Sequence, residues 1–128
     1  MKVVKQTDVI GTDRDINWGN GKSYRMLVES DGMGYSIHHT VVYRGTSSLL
    51  EYKNHLESAY VLSGYGEIET MDGTKWSIGP GDLYVLDKHD KHYLKATEQQ
   101  DMIILCVFNP PLKGTENHNL RDGESSGY

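Results

Sequence analysis

Three observations predict an all-β fold, a small antiparallel barrel or sandwich. First, apolar residues alternate over short runs. The clearest is Tyr35–Arg44, "YSIHHTVVYR", with Tyr35, Ile37, His39, Val41 and Tyr43 on one, largely apolar face and Ser36, His38, Thr40 and Val42 on the other, largely polar one. Second, about nine such runs follow one another with turn signals between them, the spacing of an antiparallel sandwich or barrel. Third, 14 Gly and 9 Tyr suit turns and strands, and no long helical periodicity competes.

Taken in order, Met1–Thr12 reads as an edge strand ending at Gly11. Asp13–Ser23, "DRDINWGNGKS", reads as a polar loop. Tyr24–Glu29 is a short strand before the turn Asp31-Gly32, and Tyr35–Arg44 is the alternating strand. Leu49–Tyr52 and Glu57–Leu62 follow, the latter closed by Gly64-Tyr65-Gly66. Glu67–Met71 and Lys75–Ile78 flank Asp72-Gly73, a strong hairpin signal. Asp82–Leu86 and His92–Ala96 flank the charged turn Asp87–Lys91, "DKHDK", where His89 reads as a turn residue. Asp101–Phe108 is the last strand, stopped by Asn109-Pro110-Pro111. Residues 1–112 thus form the barrel domain. Residues 113–128 form a polar C-terminal tail, expected to be flexible.

The 128 residues suit one domain. Lys and Arg number 13 against 18 Asp and Glu, a formal charge of −5, and no basic run is present, so nucleic acid is not an expected partner. Met1–Ile10 lacks the apolar core of a signal peptide, and no stretch is apolar enough to span a membrane. Cys106 is the single cysteine, which excludes an internal disulfide. A soluble, cytoplasmic protein is expected.

Chemistry enters with Gly79–Tyr84, "GPGDLY". It resembles the second motif of the cupin barrel, P-x-G-x-x-H, whose closing His binds a metal; here Tyr84 holds that place. Glu57, ahead of Gly64, matches the Glu-to-Gly end of the first cupin motif, although the H-x-H pair that normally precedes it is absent. A tyrosine can replace the histidine because a divalent cation stabilises the phenolate. His92, on the strand that "DKHDK" folds back beside Tyr84, is the candidate third ligand. Glu57, Tyr84 and His92 would leave open coordination positions, as a catalytic site requires. Such ligation suits iron(II), manganese or zinc. Each residue has a bland reading: Tyr84 as barrel core or rim, His92 as a turn residue, Glu57 as a solvated strand carboxylate. Their agreement with one template raises all three together.

Other polar groups gather around them. His55 lies two residues from Glu57, with Tyr52 slightly upstream, and His38 and Thr40 are placed to line the interior. Cys106 in an apolar strand is most simply a small buried hydrophobe, and Phe108 is pocket wall or plain core.

Longer stretches carry a more specific resemblance. "YKNHLE" at Tyr52–Glu57, "GYGEIETMDG" at Gly64–Gly73, "PGDLYVLDKHDKHYL" at Pro80–Leu94 and "CVFNPPLKGTENH" at Cys106–His118 resemble the ectoine synthase family over nearly the whole chain. That resemblance implies a cytoplasmic, homodimeric cupin enzyme. It would cyclise N-γ-acetyl-L-2,4-diaminobutyrate to ectoine with loss of water, using iron(II). It places the metal ligands on Glu57, Tyr84 and His92, and substrate-pocket positions on Arg25, Thr40, Tyr52, His55, Phe108, Glu116 and His118, with Cys106 near the product. Position 38, often Asn in the family, is His38 here, kept as a substrate-binding candidate from the polar face of its strand. Arg25 would hold the substrate carboxylate. Glu116 or His55 would be the base, and Tyr84 or Tyr52 the acid. The family's Trp four residues before the pocket Arg is Gly21 here, and Trp18 stands three residues earlier, where a loop shift would return it to the pocket. "GTENH" at Gly114–His118 makes the tail a candidate active-site lid. Two alternatives stand beside this reading: another metal-dependent cupin lyase or isomerase acting on a small zwitterion, and a non-catalytic osmolyte-binding barrel.

Overall fold

Alternation becomes strand wherever one face can be covered. The computed structural model describes residues 1–121 and 124–128. It contains one short helix, α1 (Gln6–Val9), and ten strands: β1 (Asp15–Asn17), β2 (Gly21–Leu27), β3 (Ser36–Val42), β4 (Ser47–Leu50), β5 (Leu56–Ser63), β6 (Gly66–Thr70), β7 (Lys75–Ile78), β8 (Leu83–Leu86), β9 (His92–Ala96) and β10 (Met102–Asn109). A single 3-10 turn, Glu29–Asp31, follows β2. None of the described helices is long and apolar enough to cross a membrane.

The strands form two sheets, β1-β2-β3-β10-β5-β8 and β4-β9-β6-β7, and the strand pairs are antiparallel. This is the expected cupin-type arrangement, except that hydrogen bonds do not close it into a continuous barrel. Along β10, Met102, Ile104, Cys106 and Phe108 are buried while Ile103, Leu105 and Val107 are half-covered. Ala59 and Val61 of β5, Ile68 of β6, Leu86 of β8 and Leu94 of β9 meet them in one core. Gly64, which closes β5, is required by close approach: a Cβ there would lie 2.4 Å from the Asp101 carbonyl oxygen, and its φ of +80° is left-handed.

The N-terminus departs from expectation. Met1–Thr12 holds α1 and no strand, and β1 lies inside the segment read as a loop, Asp13–Ser23. Asp8 accepts a hydrogen bond from the Lys5 amide at 2.9 Å, which starts a helical turn, and Val9 is the one buried residue in it. A strand would need every second side chain covered, and this stretch has too few apolar residues for that. β1 forms because Asp15–Asn17 finds a ladder partner in β2, a tertiary fact that composition conceals. The predicted strand Leu49–Tyr52 also shifts: β4 ends at Leu50, leaving Tyr52 in a loop.

Candidate active site

The site is assembled by register. Across the six-stranded sheet, Arg25 pairs with His38, His38 with Cys106, Cys106 with Ala59 and Ala59 with Tyr84. The neighbouring inward row runs Ser36, Phe108, Glu57, Leu86. A third runs Ser23, Thr40, Ile104, Val61. Side chains two residues apart on one strand share a face, so residues far apart in sequence converge in the interior. Arg25, His38, Glu57 and His92 are almost fully buried, at 0%, 1%, 4% and 1% exposure. Charged or ionisable groups are rarely buried so completely without a partner or a task.

Glu57 and Tyr84 line the interior cavity together. Burial pushes the Glu57 carboxyl up to about 8, partly offset by its hydrogen bond with Tyr84. Burial, and the neighbouring Glu57, likewise raise the Tyr84 phenol well above its ordinary value. His92 adjoins Tyr84, ring centroids 6.3 Å apart, and the two border a second recess of ≈ 510 Å³ on the other side of Tyr84. His92 Nδ1 donates to the Asp90 carbonyl at 2.8 Å, which fixes the tautomer and leaves Nε2 with a lone pair. That Nε2 is buried without a hydrogen-bond partner, and burial holds the imidazole neutral by lowering its pKa. A carboxyl, a phenol and an oriented imidazole whose ring carries an orphaned acceptor fit a divalent cation. Among the described residues, no three His, Cys, Asp or Glu side chains form a metal-sized group, so the set depends on the tyrosine.

The rest of the pocket is aromatic. Tyr52, Phe108, His118 and Tyr128 pack together, with centroid separations of 5.1 Å for Tyr52–Phe108, 5.1 Å for Tyr52–Tyr128 and 4.8 Å for His118–Tyr128. Trp18 is 4% exposed, lines the cavity and sets its ring edge against His118 at 5.7 Å. Gly21 makes this possible, since a Cβ there would meet the Trp18 ring at 3.0 Å and the Val41 carbonyl oxygen at 1.8 Å. Trp18 therefore stands in the pocket despite its shifted place in the sequence.

Thr40 and His38 also line the cavity. Burial, then the charge of Arg25, lowers the His38 pKa to about 3, so the ring is neutral. Cys106 is buried and unpaired, and burial raises its thiol pKa. Tyr52 and His118 share a 2.9 Å hydrogen bond. Burial, then Arg25, lowers His118 to about 4, while burial raises the Tyr52 phenol well above its ordinary value. At neutral pH the pair is a phenol and a neutral imidazole.

Arg25 Nε donates to Ser23 Oγ at 3.3 Å and one terminal nitrogen to the Tyr128 hydroxyl at 3.4 Å. Its other terminal nitrogen lies 3.9 Å from Glu116 and has no hydrogen-bond partner. Glu116 accepts from the amides of Lys113 and Gly114, both at 2.9 Å. Burial raises its pKa, but those amides and Arg25 outweigh that, and the net shift is downward. His55 donates from Nδ1 to the Pro110 carbonyl at 2.7 Å. Arg25, His55, Glu116 and His92 are not among the residues that line this cavity.

Tyr128 is the residue that sequence reasoning missed. The tail returns along β4: Ser126 donates from its amide to the Leu49 carbonyl at 2.9 Å and accepts from Glu51 at 3.0 Å. Backbone bonds to β4, the hydrogen bond between His118 and Ser126, and packing of Leu120 and Tyr128 against the core dock it together, contacts that the polar composition of the tail did not signal. With Tyr128 in place, the cavity retains ≈ 30 Å³, room for about one or two waters.

A sequence profile of the family described as "Ectoine synthase" matches residues 1–125. An L-ectoine synthase of Shouchella clausii is 54% identical over 120 residues, covering 93% of this chain and 88% of that protein. One from Halalkalibacterium halodurans is 48% identical over 120 residues, covering 93% and 92%. The crystal structure of ectoine synthase from P. lautus superposes with a TM-score of 0.84 at 44% identity, covering 91% of this chain and 83% of that one. A predicted oxalate decarboxylase from Thermotoga maritima, 20% identical with a TM-score of 0.70 over 85% of this chain and 99% of that one, shares the fold. Profile, relatives and superposition agree over the strands that carry Glu57, Tyr84 and His92, and the chain belongs to the ectoine synthase family.

Proposed function

We propose that this protein is an ectoine synthase that cyclises N-γ-acetyl-L-2,4-diaminobutyrate to ectoine, with water as the second product. The observation that carries this reading, beyond family membership, is the trio of buried Glu57, half-buried Tyr84 and the partnerless Nε2 of buried His92. Iron(II) is the cation we assign to it, and zinc or manganese suits the same donors. When bound, such a cation polarises a carbonyl oxygen and stabilises the charge that develops there.

The chain's own groups account for the remaining steps. Arg25 holds the substrate carboxylate with the terminal nitrogen that has no hydrogen-bond partner. That contact, with the aromatic walls of Trp18, Tyr52 and Phe108, folds the substrate so that its α-amine meets the acetyl carbon. A carbon–nitrogen bond forms, the amine sheds protons, and the acetyl oxygen departs as water. His55 suits the base role: its Nδ1–H is committed to Pro110, so Nε2 presents a lone pair. Glu116 is the poorer base, because its backbone hydrogen bonds favour the ionised, less basic form. Tyr52, kept as a phenol and joined to His118, suits return of a proton to the departing oxygen.

The free volume of ≈ 30 Å³ is too small for an acylated amino acid, so residues 113–128 act as a lid that withdraws and recloses, with Tyr128 and His118 on its inner side. A homodimer accords with the outward face of β5 and β8, where Tyr60, Leu62, Leu83 and Val85 are 43%, 46%, 57% and 49% exposed. A cytoplasmic setting accords with the unpaired Cys106.

The test is direct assay of purified protein with the acetylated diaminobutyrate and iron(II) under reducing conditions, alongside metal analysis. Ectoine formation that scales with metal content is expected. A metal-loaded protein without turnover would leave a different small zwitterion as substrate, and a metal-free binder of ectoine would reduce the protein to a non-catalytic barrel.

A further inference from the structure

Tyr52 and His55 stand on the loop between β4 and β5. Among the described residues, positions 52–55 make no backbone-to-backbone hydrogen bond. One side chain from elsewhere meets two of that loop's carbonyls. His89 Nδ1 lies 2.8 Å from the Tyr52 carbonyl oxygen and 3.1 Å from that of His55. A carbonyl only accepts, so Nδ1 carries the hydrogen and shares it between both.

The backbone beneath His89 is unusual. Its φ of 54° makes it the one non-glycine residue with positive φ among those described. Histidine tolerates this region better than most residues, yet such a conformation persists only where the surroundings enforce it. The turn that imposes it, residues 87–91, joins β8 to β9 and so lies between Tyr84 and His92. Lys88 donates its amide to the Asp90 side chain at 3.2 Å, and the Asp90 carbonyl orients His92. A plain turn histidine would give its donor to water. This one gives it to carbonyls 37 and 34 residues away.

We propose that His89 is a positioning residue that clamps the Tyr52–His55 loop onto the turn feeding His92. The clamp sets the backbone from which Tyr52 reaches His118 and His55 reaches Pro110, and ties both groups to the metal side of the site. This rests on the reading above, in which Tyr52 and His55 act on substrate.

The experiment compares His89→Gly and His89→Asn with the unaltered metal-loaded protein. Glycine accepts the left-handed backbone but removes the donor. Asparagine tolerates that backbone and keeps an N–H on a shorter arm. His89→Gly should keep its metal content, lose roughly 10- to 100-fold in kcat with a smaller change in KM, and show faster hydrogen exchange at the Glu51 amide, whose bond to the Ser126 carbonyl anchors the start of the loop. His89→Asn should recover part of both losses. Unchanged kcat and unchanged exchange in His89→Gly would overturn the proposal. So would a kcat loss that matches lost metal while exchange at the Glu51 amide stays put. Exchange reads the clamp without any substrate: faster exchange in His89→Gly beside a wild-type protein that forms no ectoine would support the clamp and defeat the proposed reaction.

Discussion

The two sheets face one core but do different work. The six-stranded sheet turns Arg25, His38, Thr40, Glu57, Tyr84, Cys106 and Phe108 towards the interior, from five of its strands. The four-stranded sheet turns Leu50, Ile68, Ile78, Leu94 and Ala96 inward and adds a single ionisable group, His92. One sheet carries the proposed chemistry and the other is a mostly apolar back wall, broken by His92 and by Ser48, which accepts a hydrogen bond from Asn20 at 2.8 Å. Water exclusion explains the division. A site that strengthens electrostatic contacts needs low-dielectric surroundings, and a wall of Leu and Ile provides them without adding groups that need partners.

The comparison breaks most severely if the polar sheet can lose its chemistry without consequence. Glu57→Ala and Tyr84→Phe should each reduce bound metal and turnover together, by more than the ~10–100-fold that removal of a supporting partner costs. Tyr84→Phe with full activity and full metal content would remove the phenolate from the site. His92→Ala should behave like them and unlike any other inward substitution in its own sheet.

Deleting residues 113–128 is expected to leave a folded, metal-binding protein, since Leu112, the last fully buried residue before the tail, is retained. Turnover should fall because Glu116, His118 and Tyr128 leave the site together. Normal turnover by the truncated protein would show that the tail is no lid. Arg25→Lys comes next. Charge is kept, but the planar fork is lost, and KM should rise roughly 10- to 100-fold, the worth of a charged hydrogen bond at about 1.5–3 kcal/mol.

Leu94→Ala sharpens the contrast from the apolar side. Its side chain is 3% exposed, so truncation should cost about 2–5 kcal/mol of stability by denaturant titration. Turnover per bound metal should hold. The smallest effect belongs to Lys95, whose contacts with Glu69 at 3.0 Å and Glu67 at 3.6 Å lie on the outer face of the same sheet. Lys95→Met should leave melting temperature and activity unchanged, because exposed ion pairs contribute little.

Much of this was legible in the residues. Period-two alternation in Tyr35–Arg44 and Asp101–Phe108 marked β3 and β10, and Asp72-Gly73 marked the β6–β7 hairpin. The Glu-to-Gly and Pro-Gly-to-Tyr spacings pointed to Glu57 and Tyr84, which the structure brings together. The N-terminal strand was misread because two Val beside Lys, Gln and Asp do not say whether a ladder partner waits for them. Trp18 was legible only as an offset from a familiar place, and the room made by Gly21 settles its position. Tyr128 and the His89 clamp left no trace in composition, since both depend on groups supplied by segments distant in the chain, β4 for the tail and the Tyr52–His55 loop for His89.

The sequence by itself assigned alternate residues of each strand to opposite faces, but in β3 the face of Ser36, His38 and Val42, not the more apolar face of Ile37 and Val41, is the one that turns inward. The Glu-to-Gly and Pro-Gly-to-Tyr spacings, with the strand that follows the "DKHDK" turn, also pointed to Glu57, Tyr84 and His92 as the donor set we propose. Tertiary structure alone decided that β10 lies between β3 and β5, which aligns Arg25, His38, Cys106 and Tyr84 in one row. It alone returned the tail along β4 to bring Tyr128 over Arg25. The reason is that pairing and register are properties of two segments at once. Each segment's hydrophobic pattern is compatible with several partners, and only the shared burial of all of them selects one.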